Sequence, residues 1–377
     1  ETYDKALSGK FIYHPLLERY GEATLPEVKI IDLRHTPHSN QKHFLFSEEL
    51  LAALAQNLAA KKQSLLFMNR RGFAHFVLCE DCGYRPLCPN CDISLTFHRG
   101  RKKMACHYCD YQIVPLDECP GCHGHQWLPV GSGTERIEEE LQKHFPDARI
   151  SRMDRDTTSQ KGSHELILKK LEEGKIDILV GTQMITKGHD YPNVTLVGIL
   201  LADSALNLPD FRSAERTYQL MTQVAGRSGR GIDAGQVLLQ TFTPEHFSLQ
   251  YAARHETKLF YDQEIELRRE LEYPPFRRLI VLRLQGTQLG RVQQSIQHLK
   301  NHLDHLNQLQ HWKAQILGPS PCLIEKIKNQ YRWQIILKCP PGKLLQPVLR
   351  NEIMAQQKKW LSPGVRLVVD VDPIHVV

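Results

Sequence analysis

Short apolar runs alternate with amphipathic segments along most of the chain, and this alternation predicts the fold. Residues 63–68 and 177–181 are apolar runs of strand length, typical of strands buried on both faces. Segments of helical period lie between such runs, among them residues 48–60 and 163–173. Strands alternating with helices form parallel sheets with right-handed crossovers, so we expect a doubly wound α/β domain. The remaining predicted strands span residues 149–153, 194–201 and 237–242, and the remaining helices span residues 137–144 and a segment that starts at residue 214.

The last third of the chain has a different pattern. A long polar helix is predicted over residues 246–271, and after it the order of elements is β-α-β-β-α-β. This order is typical of a ferredoxin-like α+β domain. Its predicted strands span residues 279–284, 314–318, 333–338 and 365–371, and its predicted helices span residues 289–309 and 342–359.

Composition narrows the class of protein. The 377 residues suggest two or three domains, and 41% hydrophobic with 24% charged residues is ordinary for a globular chain. These values exclude a collagen, a disordered acidic tail and a disulfide miniprotein. The net charge of +6 permits a nucleic-acid partner without requiring one. No export leader or apolar span of about 20 residues is visible, which favours a cytoplasmic location. Because the first residue is Glu, we expect the chain to be a piece of a longer protein.

Eight of the ten cysteines fall between residues 79 and 122, as four Cys-x-x-Cys pairs. Such a turn directs two thiolates at one ion, and two turns complete a tetrahedral Cys₄ zinc site. Four disulfides are disfavoured, since no export signal is present and Cys322 and Cys339 stand apart from the cluster. A redox dithiol would need one pair only. The sequence therefore predicts two zinc ions, both structural, because a closed Cys₄ set leaves no open coordination position.

The spacing of the pairs favours a nested arrangement. The 14 residues between Cys91 and Cys106 suit a zinc ribbon, whereas the five between Cys82 and Cys88 are few for reversing the chain onto one ion. A crossed pairing of the four Cys-x-x-Cys turns is also possible. Four histidines nearby could compete with the thiols as zinc ligands: His98, His107, His123 and His125. The expected outer site is Cys79, Cys82, Cys119 and Cys122, and the expected inner site is Cys88, Cys91, Cys106 and Cys109.

Two loops of the α/β region carry candidate chemistry. One spans residues 181–190 and follows a strand, where open α/β sheets bind ligands. The other spans residues 223–231, ends a predicted helix, and holds Arg227 and Arg230 in a Gly- and Ser-rich turn. The guanidinium group is always charged and bidentate, which suits phosphate binding. Alone, this turn would favour a basic loop that closes a helix; together, the two loops favour a phosphate site.

Two basic clusters have open interpretations. The first lies inside the cysteine region, and the second lies in the ferredoxin-like domain and mixes cations with aromatic residues. Both fit contacts with DNA, and both fit solvated or half-buried hairpins. The first comprises His98, Arg99, Arg101, Lys102 and Lys103, and the second comprises Lys326, Lys328, Tyr331, Arg332 and Trp333.

Several segments together resemble helicases of superfamily 2. The pattern Gln223-x-x-Gly226-Arg227-x-x-Arg230 resembles their motif VI. Residues 182–190 resemble motif V, and residues 65–72 resemble motif IV. With a double Cys₄ insert directly after motif IV, the whole chain resembles the PriA family of bacterial primosomal DNA helicases. No Gly-x-x-x-x-Gly-Lys-Ser/Thr and no Asp-Glu-x-His occur in the 377 residues, so the phosphate cradle is expected on a preceding lobe.

The resemblance implies roles for individual residues. Arg230 is expected to be the finger that neutralises the γ-phosphate, Arg227 to bridge to the nucleotide or the other lobe, and Gln223 to sense the nucleotide. The four remaining residues expected to shape or couple the nucleotide site are Gly226, Gly229, Gly188 and Asp190. The residues expected to contact DNA are Thr182, Gln183, Lys187, Asn69 and Arg70, and for Asn69 and Arg70 a structural role is an equal alternative.

The resemblance also implies a domain plan and a function. The plan is a tail of the first lobe (1–27), a second RecA-like lobe (28–78 and 126–245), the zinc insert (79–125), and a linking helix with a ferredoxin-like DNA- and partner-binding domain (246–377). The implied activity is that of a 3′-to-5′ DNA helicase, using ATP and Mg²⁺, that restarts replication at stalled forks. The implied partners are branched and single-stranded DNA, single-stranded DNA-binding protein and primosome proteins. The 377 residues alone are expected to be inactive. The alternative is a non-catalytic zinc-bearing adaptor for nucleic acid or protein; an RNA helicase is disfavoured because it lacks such an insert.

Overall fold

The computed structural model describes residues 1–15, 25–35, 46–69, 76–98, 102–130, 134–154, 157–158, 162–182, 193–227, 235–342, 347 and 349–376. The described helices are α1 (Thr2–Leu7), α2 (Glu48–Ala59), α3 (Thr134–His144), α4 (Ser163–Glu172), α5 (Asp203–Leu206), α6 (Ser213–Ala225), α7 (Phe247–Ala253), α8 (Thr257–Glu270) and α9 (Leu289–Leu309). The described strands are β1 (Glu27–Asp32), β2 (Gln63–Met68), β3 (Phe76–Cys79), β4 (Thr96–His98), β5 (Lys103–Ala105), β6 (Gln112–Ile113), β7 (Trp127–Val130), β8 (Ile150–Met153), β9 (Ile178–Gly181), β10 (Val194–Leu200), β11 (Gln236–Thr241), β12 (Arg278–Gly286), β13 (Gln315–Ile327), β14 (Gln330–Cys339) and β15 (Val365–Val371).

A six-stranded parallel sheet forms the centre of the first domain, which confirms the predicted α/β class. Its strand order is β1-β11-β10-β2-β9-β8. Both faces are covered: on β10, Val197 belongs to one apolar core and its neighbour Leu196 to the other. β1 was not predicted as a strand, because it lies at the sheet edge, where five of its six residues keep some solvent exposure and the apolar signal is weak.

The second domain contains a four-stranded antiparallel sheet. Its order, β13-β14-β12-β15, is that of a ferredoxin-like fold, with the first and third strands at the centre. α9 packs on one face through Leu282, Leu284 and Ile335. The described part of the helix predicted over residues 342–359 is helical but not one regular α-helix: residue 347 is α-helical, Leu349–Met354 form a π-helical turn and Gln357–Lys359 form a 3₁₀ turn.

The single helix predicted over residues 246–271 is wrong. The chain forms α7 and α8 instead, and the break between them lies at residues 254–256. His255 adopts a left-handed backbone with φ of 59°, and its ring Nε2 lies 3.1 Å from the Pro26 carbonyl oxygen. A non-glycine residue in this conformation cannot continue a right-handed helix. The tertiary contact to Pro26 holds the break in place.

Between β3 and β7, which pair with each other, lies the zinc insert with its three-stranded sheet β4-β5-β6. The insert fills the space between the two domains. Ile93, Met104 and Tyr108 pack in one apolar core with Val281 and Ile336 of the ferredoxin-like sheet. The sheet of the second domain is therefore covered on one face by α9 and, over part of the other face, by the insert.

Gly83 is a point at which the insert contacts the parallel-sheet domain. Its φ is +72°, and a Cβ at this position would lie 2.1 Å from the carbonyl oxygen of Phe242. We expect Gly83→Ala to lower the free energy of unfolding by roughly 2–4 kcal/mol, because the left-handed backbone and the backbone clash both oppose a side chain. Chemical denaturation of the zinc-loaded chain measures this loss.

The matched control is Gly174→Ala. Gly174 has a similar φ of +67°, but nothing lies within 4 Å of its ideal Cβ. Only the cost of the left-handed backbone, about 1–2 kcal/mol, is expected there. Equal losses for the two variants would show that the contact between Gly83 and Phe242 contributes nothing.

Candidate metal centres and candidate nucleotide loop

The four Cys-x-x-Cys segments fold into four turns of the same local structure. In each, the residue after the second cysteine has a left-handed φ, between 51° and 72°, and its amide donates to the carbonyl of the first cysteine at 2.9–3.0 Å. This geometry points both thiols of a turn to the same side. The four amide donors and their acceptors are Gly83 to Cys79, Asp92 to Cys88, Asp110 to Cys106, and His123 to Cys119.

The eight thiols form two groups in the nested arrangement. One group is Cys79, Cys82, Cys119 and Cys122, the other is Cys88, Cys91, Cys106 and Cys109, and within each group all sulfur atoms lie within 4.8 Å of one another. The sulfur–sulfur distances Cys79–Cys122 and Cys88–Cys109 are both 3.5 Å. Four thiolates about 2.3 Å from one zinc ion lie about 3.8 Å apart, so both groups fit a tetrahedral ion.

Backbone amides also favour the thiolate form. The amide of Tyr108 donates to Cys106 Sγ and that of Gly121 to Cys119 Sγ, each at 3.4 Å. Burial of the free thiols acts in the opposite direction: it raises the pKa of Cys79, and that of Cys82 to about 11. A zinc ion would reverse this shift, because it binds and stabilises the deprotonated sulfur.

The two groups differ in their surroundings. Around the inner group, Tyr273 Oη donates to the Cys91 carbonyl at 3.0 Å, and Ser320 Oγ donates to the His107 carbonyl at 2.7 Å. These bonds are buried and join the insert to the second domain. The outer group is more accessible, since Cys122 is exposed. The link through Tyr273 was not predicted, although the sequence Tyr273-Pro274-Pro275 marks a rigid turn before β12.

The four histidines near the cysteines have other contacts. His107 Nδ1 lies 2.9 Å from the Pro321 carbonyl oxygen, and the ring of His98 packs against the His107 ring. His123 pairs with Glu118, and His125 Nδ1 lies 2.9 Å from the Asp117 carbonyl oxygen. Within the described part of the chain, none of these histidines belongs to either group of thiols.

The candidate nucleotide residues lie at the end of α6. Gln223 is exposed in the last turn, Gly226 follows the helix, and Arg227 is half-buried. The amide of Arg227 donates to the Val224 carbonyl at 3.0 Å, so the turn stays tightly wound. The φ of Gly226 is −65°, so its backbone conformation does not require glycine. Gly229 and Arg230 lie outside the described residues.

The amino end of α6 lies where the parallel-sheet domain, the zinc insert and the second domain are in contact. The amide of Phe211 donates to Tyr108 Oη at 3.3 Å, and the rings of Phe211 and Tyr273 stack at 4.6 Å. Arg216 pairs with Asp210 at 2.9 Å. Phe211 and the 13-residue helix that begins two residues after it thus connect the inner thiol group and the second domain to the candidate nucleotide loop.

Two candidate DNA-contacting residues follow neighbouring strands. Asn69 comes after β2, and Thr182 comes after β9; these strands pair in parallel, with Phe67 opposite Gly181. Both side chains therefore start at the carboxyl edge of the sheet, where ligands of open α/β sheets bind. Both residues are largely buried, each 9% exposed. Arg70, Gln183, Lys187, Gly188 and Asp190 lie outside the described residues.

Three family models match separate parts of the chain. Residues 88–113 match the "PriA DNA helicase Cys-rich region (CRR) domain", residues 122–231 the "Helicase conserved C-terminal domain", and residues 269–374 the "Primosomal protein N C-terminal domain". The first of these matches contains the inner thiol group whole. No described helix has the length and apolar character needed to cross a membrane.

Curated relatives extend over nearly the whole chain. The Replication restart protein PriA of Bacillus subtilis (strain 168) is 40% identical over 99% of this chain and 46% of its own length. The protein of the same name from Synechocystis sp. is 41% identical over 97% of this chain and 43% of its own length. That from Treponema pallidum is 37% identical over 100% of this chain and 55% of its own length. The chain spans about half the length of the curated relatives it matches.

Proposed function

We propose, because this chain belongs to the PriA family, that the complete protein is an ATP-driven DNA helicase that restarts replication at stalled forks. Its substrates are branched and single-stranded DNA, and its partners are single-stranded DNA-binding protein and primosome proteins. It works in the cytoplasm and translocates 3′ to 5′. This chain supplies the second helicase lobe, the zinc insert and the C-terminal domain.

The observation that carries the proposal is the position of α6. Gln223 lies in its last turn and Arg227 and Arg230 follow its carboxyl end, and Phe211, two residues before its amino end, contacts the insert and the second domain. A helicase needs this connection, because ATP hydrolysis has to be coupled to contacts with DNA. A zinc-bearing adaptor would need neither the candidate nucleotide loop with Arg227 and Arg230 nor a rigid connection to it.

The chemistry assigned to this chain is electrostatic. When ATP and Mg²⁺ are bound by the preceding lobe, Arg230 neutralises the charge that develops on the γ-phosphate, and Arg227 bridges to the nucleotide or to that lobe. Gln223 orients the nucleotide or its water. Gly226, Gly229, Gly188 and Asp190 shape the loops that couple the nucleotide to the DNA grip.

DNA contact is assigned to the loops at the carboxyl edge of the parallel sheet. Hydroxyl, amide and cationic groups there donate to phosphate oxygens, a contact that positions DNA without reading its sequence. Asn69 and Thr182 begin these loops on neighbouring strands. The residues assigned to this grip are Thr182, Gln183, Lys187, Asn69 and Arg70.

Zinc has a structural role in this proposal. Each closed group of four thiolates holds one ion, which fixes the insert between the two domains and supplies no reactive position. The thiolates of Cys79, Cys82, Cys119 and Cys122 hold the first ion, and those of Cys88, Cys91, Cys106 and Cys109 hold the second.

Hydrolysis of ATP by the complete protein tests the function. We expect slow hydrolysis without DNA and a stimulation of at least about tenfold by forked DNA, because DNA binding brings the arginine loop to the nucleotide. Unwinding of a labelled fork should require hydrolysable ATP. Hydrolysis that DNA does not change, together with tight DNA binding, would favour the adaptor function instead.

A further inference from the structure

Lys338 of β14 is a buried lysine at the contact between the second domain and the zinc insert. Its exposed fraction is 4%. Side chains alternate between the two faces of a strand, so Lys338 shares a face with Ile336, which packs with the insert, whereas Leu337 packs with α9. Leu279, which is opposite Lys338 on β12, belongs to the same apolar core as Ile336. A lysine is rarely buried to this extent unless its charge is compensated.

The direct contacts of the Lys338 ammonium group are with neutral groups. Its Nζ donates to the Leu271 carbonyl at 2.9 Å and lies 3.8 Å from the centroid of the Tyr273 ring. A carbonyl oxygen and an aromatic face attract a cation, but neither carries a full negative charge. Lys338 forms no ion pair with any described residue. The carboxylate of Glu272 also acts on Lys338, but it already pairs with Arg277 at 2.5 Å.

Other buried cations at this junction have carboxylates to balance them. Arg268 is also 4% exposed, and it pairs with Glu264 at 2.6 Å. Burial lowers the pKa of Arg85, and the carboxylates of Asp203 and Asp92 oppose this shift. The buried ammonium group of β14 therefore needs a different source of negative charge.

The inner thiol group supplies negative charge when it holds zinc. Four thiolates carry more charge than one Zn²⁺ ion, so the closed site keeps two negative charges. Tyr273 connects this site with Lys338, because its Oη donates to the Cys91 carbonyl at 3.0 Å while Lys338 Nζ lies over its ring. Burial lowers the pKa of Lys338, and the charge of Cys91 opposes this shift more strongly than that of Glu272 does. Opposite charges in such a buried core attract each other more strongly than they do in water.

We propose that Lys338 is the buried counter-charge of the inner zinc site, so that the second domain completes a site whose four ligands all belong to the insert. The proposal rests on the structural role of zinc in the proposed function, and it adds a positioning residue that does not touch the ion. Because such coupling is reciprocal, the inner ion also strengthens the docking of the second domain on the insert. The outer thiol group contacts the parallel-sheet domain through Gly83, and its affinity for zinc is independent of Lys338.

The test is Lys338→Met in the zinc-loaded chain. Methionine has a similar shape and no charge, and the surrounding core is apolar, so this variant should fold. Cys122→Ser retains only the inner ion and Cys106→Ser only the outer ion, so competition with a chromophoric chelator in these two backgrounds gives the dissociation constant of each. We expect Lys338→Met to weaken binding of the inner ion about 10- to 100-fold and to leave the outer ion unchanged.

Two further measurements separate the charge of Lys338 from its packing. Lys338→Gln keeps a donor for the Leu271 carbonyl without the charge, so we expect the same loss of zinc affinity; full affinity in this variant would assign the effect to the hydrogen bond and overturn the proposal. In the chain loaded with Co²⁺, the absorption band due to electron transfer from thiolate to metal should move to longer wavelength, because removing a nearby cation raises the energy of the sulfur electrons. A band that stays in place would also overturn the proposal.

Lys326→Met is the matched control. Lys326 lies 4.8 Å from the centroid of the Tyr331 ring in the same domain, but it is exposed, so its loss should leave the affinity for both ions unchanged. Weakening of both ions by Lys338→Met, or equal weakening by the two methionine variants, would indicate a general loss of stability and overturn the proposal. If the unaltered chain binds no zinc, the structural role of zinc fails as well; if it binds two ions and Lys338→Met leaves the inner affinity unchanged, only the role of Lys338 fails.

Discussion

Replacing Arg230 by alanine in the complete protein is expected to lower DNA-stimulated ATP hydrolysis about 10³-fold. The expectation follows from the sequence of the loop after α6, where Arg230 stands three residues beyond Arg227. A finger arginine stabilises charge that appears on the phosphate only in the transition state, so its loss lowers kcat and leaves nucleotide affinity nearly unchanged. Steady-state kinetics with and without forked DNA separate these two quantities.

Two further variants make this test specific. Arg230→Lys keeps the charge but loses the planar fork, so we expect it to recover only part of the rate. Arg254→Ala is the matched control, because Arg254 is an exposed arginine at the end of α7 that bonds Gln250. A loss that appears in KM with kcat preserved would assign Arg230 to ground-state binding. Full activity of Arg230→Ala would remove it from the mechanism.

Replacing Cys106 by serine is expected to have the largest effect on stability. Cys106 is fully buried in the core that the insert shares with the second domain. Structural zinc contributes on the order of 10 kcal/mol to the folding of small modules, which equals the whole stability of a typical domain. We therefore expect zinc content to fall from two equivalents to one, and the amides of β12 and β14 to lose protection from hydrogen exchange.

Cys122→Ser serves as the control for this experiment. Cys122 belongs to the outer group and is exposed, and the outer group does not pack against the second domain in the described core. We expect the same loss of one zinc equivalent, with the protection of β12 and β14 retained. If both variants leave these strands equally protected, the inner ion does not hold the domains together. A content of one equivalent in the unaltered chain would refute the two-ion arrangement.

The local sequence pattern predicted the structure correctly where one physical signal dominated. The apolar runs of β2 and β9 need burial on both faces, and only a covered parallel sheet provides it. The spacing of the cysteine pairs indicated the nested grouping, since five residues are too few to return to one ion. The sequence pattern did not predict β1, because a strand at the sheet edge has a weak apolar signal. It also did not predict the helix break at His255, where the ring contacts the Pro26 carbonyl oxygen.

By itself, the sequence determined the two domain classes and the four pairs of thiols, because each depends on residues close together in the chain. Only the tertiary structure decided which way β14 directs Arg332 relative to Trp333, and how far the insert covers that face. Those outcomes depend on register and on contacts between residues more than 200 positions apart, such as His107 with Gln334. The alternation of residues along one strand shows which side chains share a face of the sheet. Packing against an element distant in the sequence decides which of the two faces is exposed to solvent.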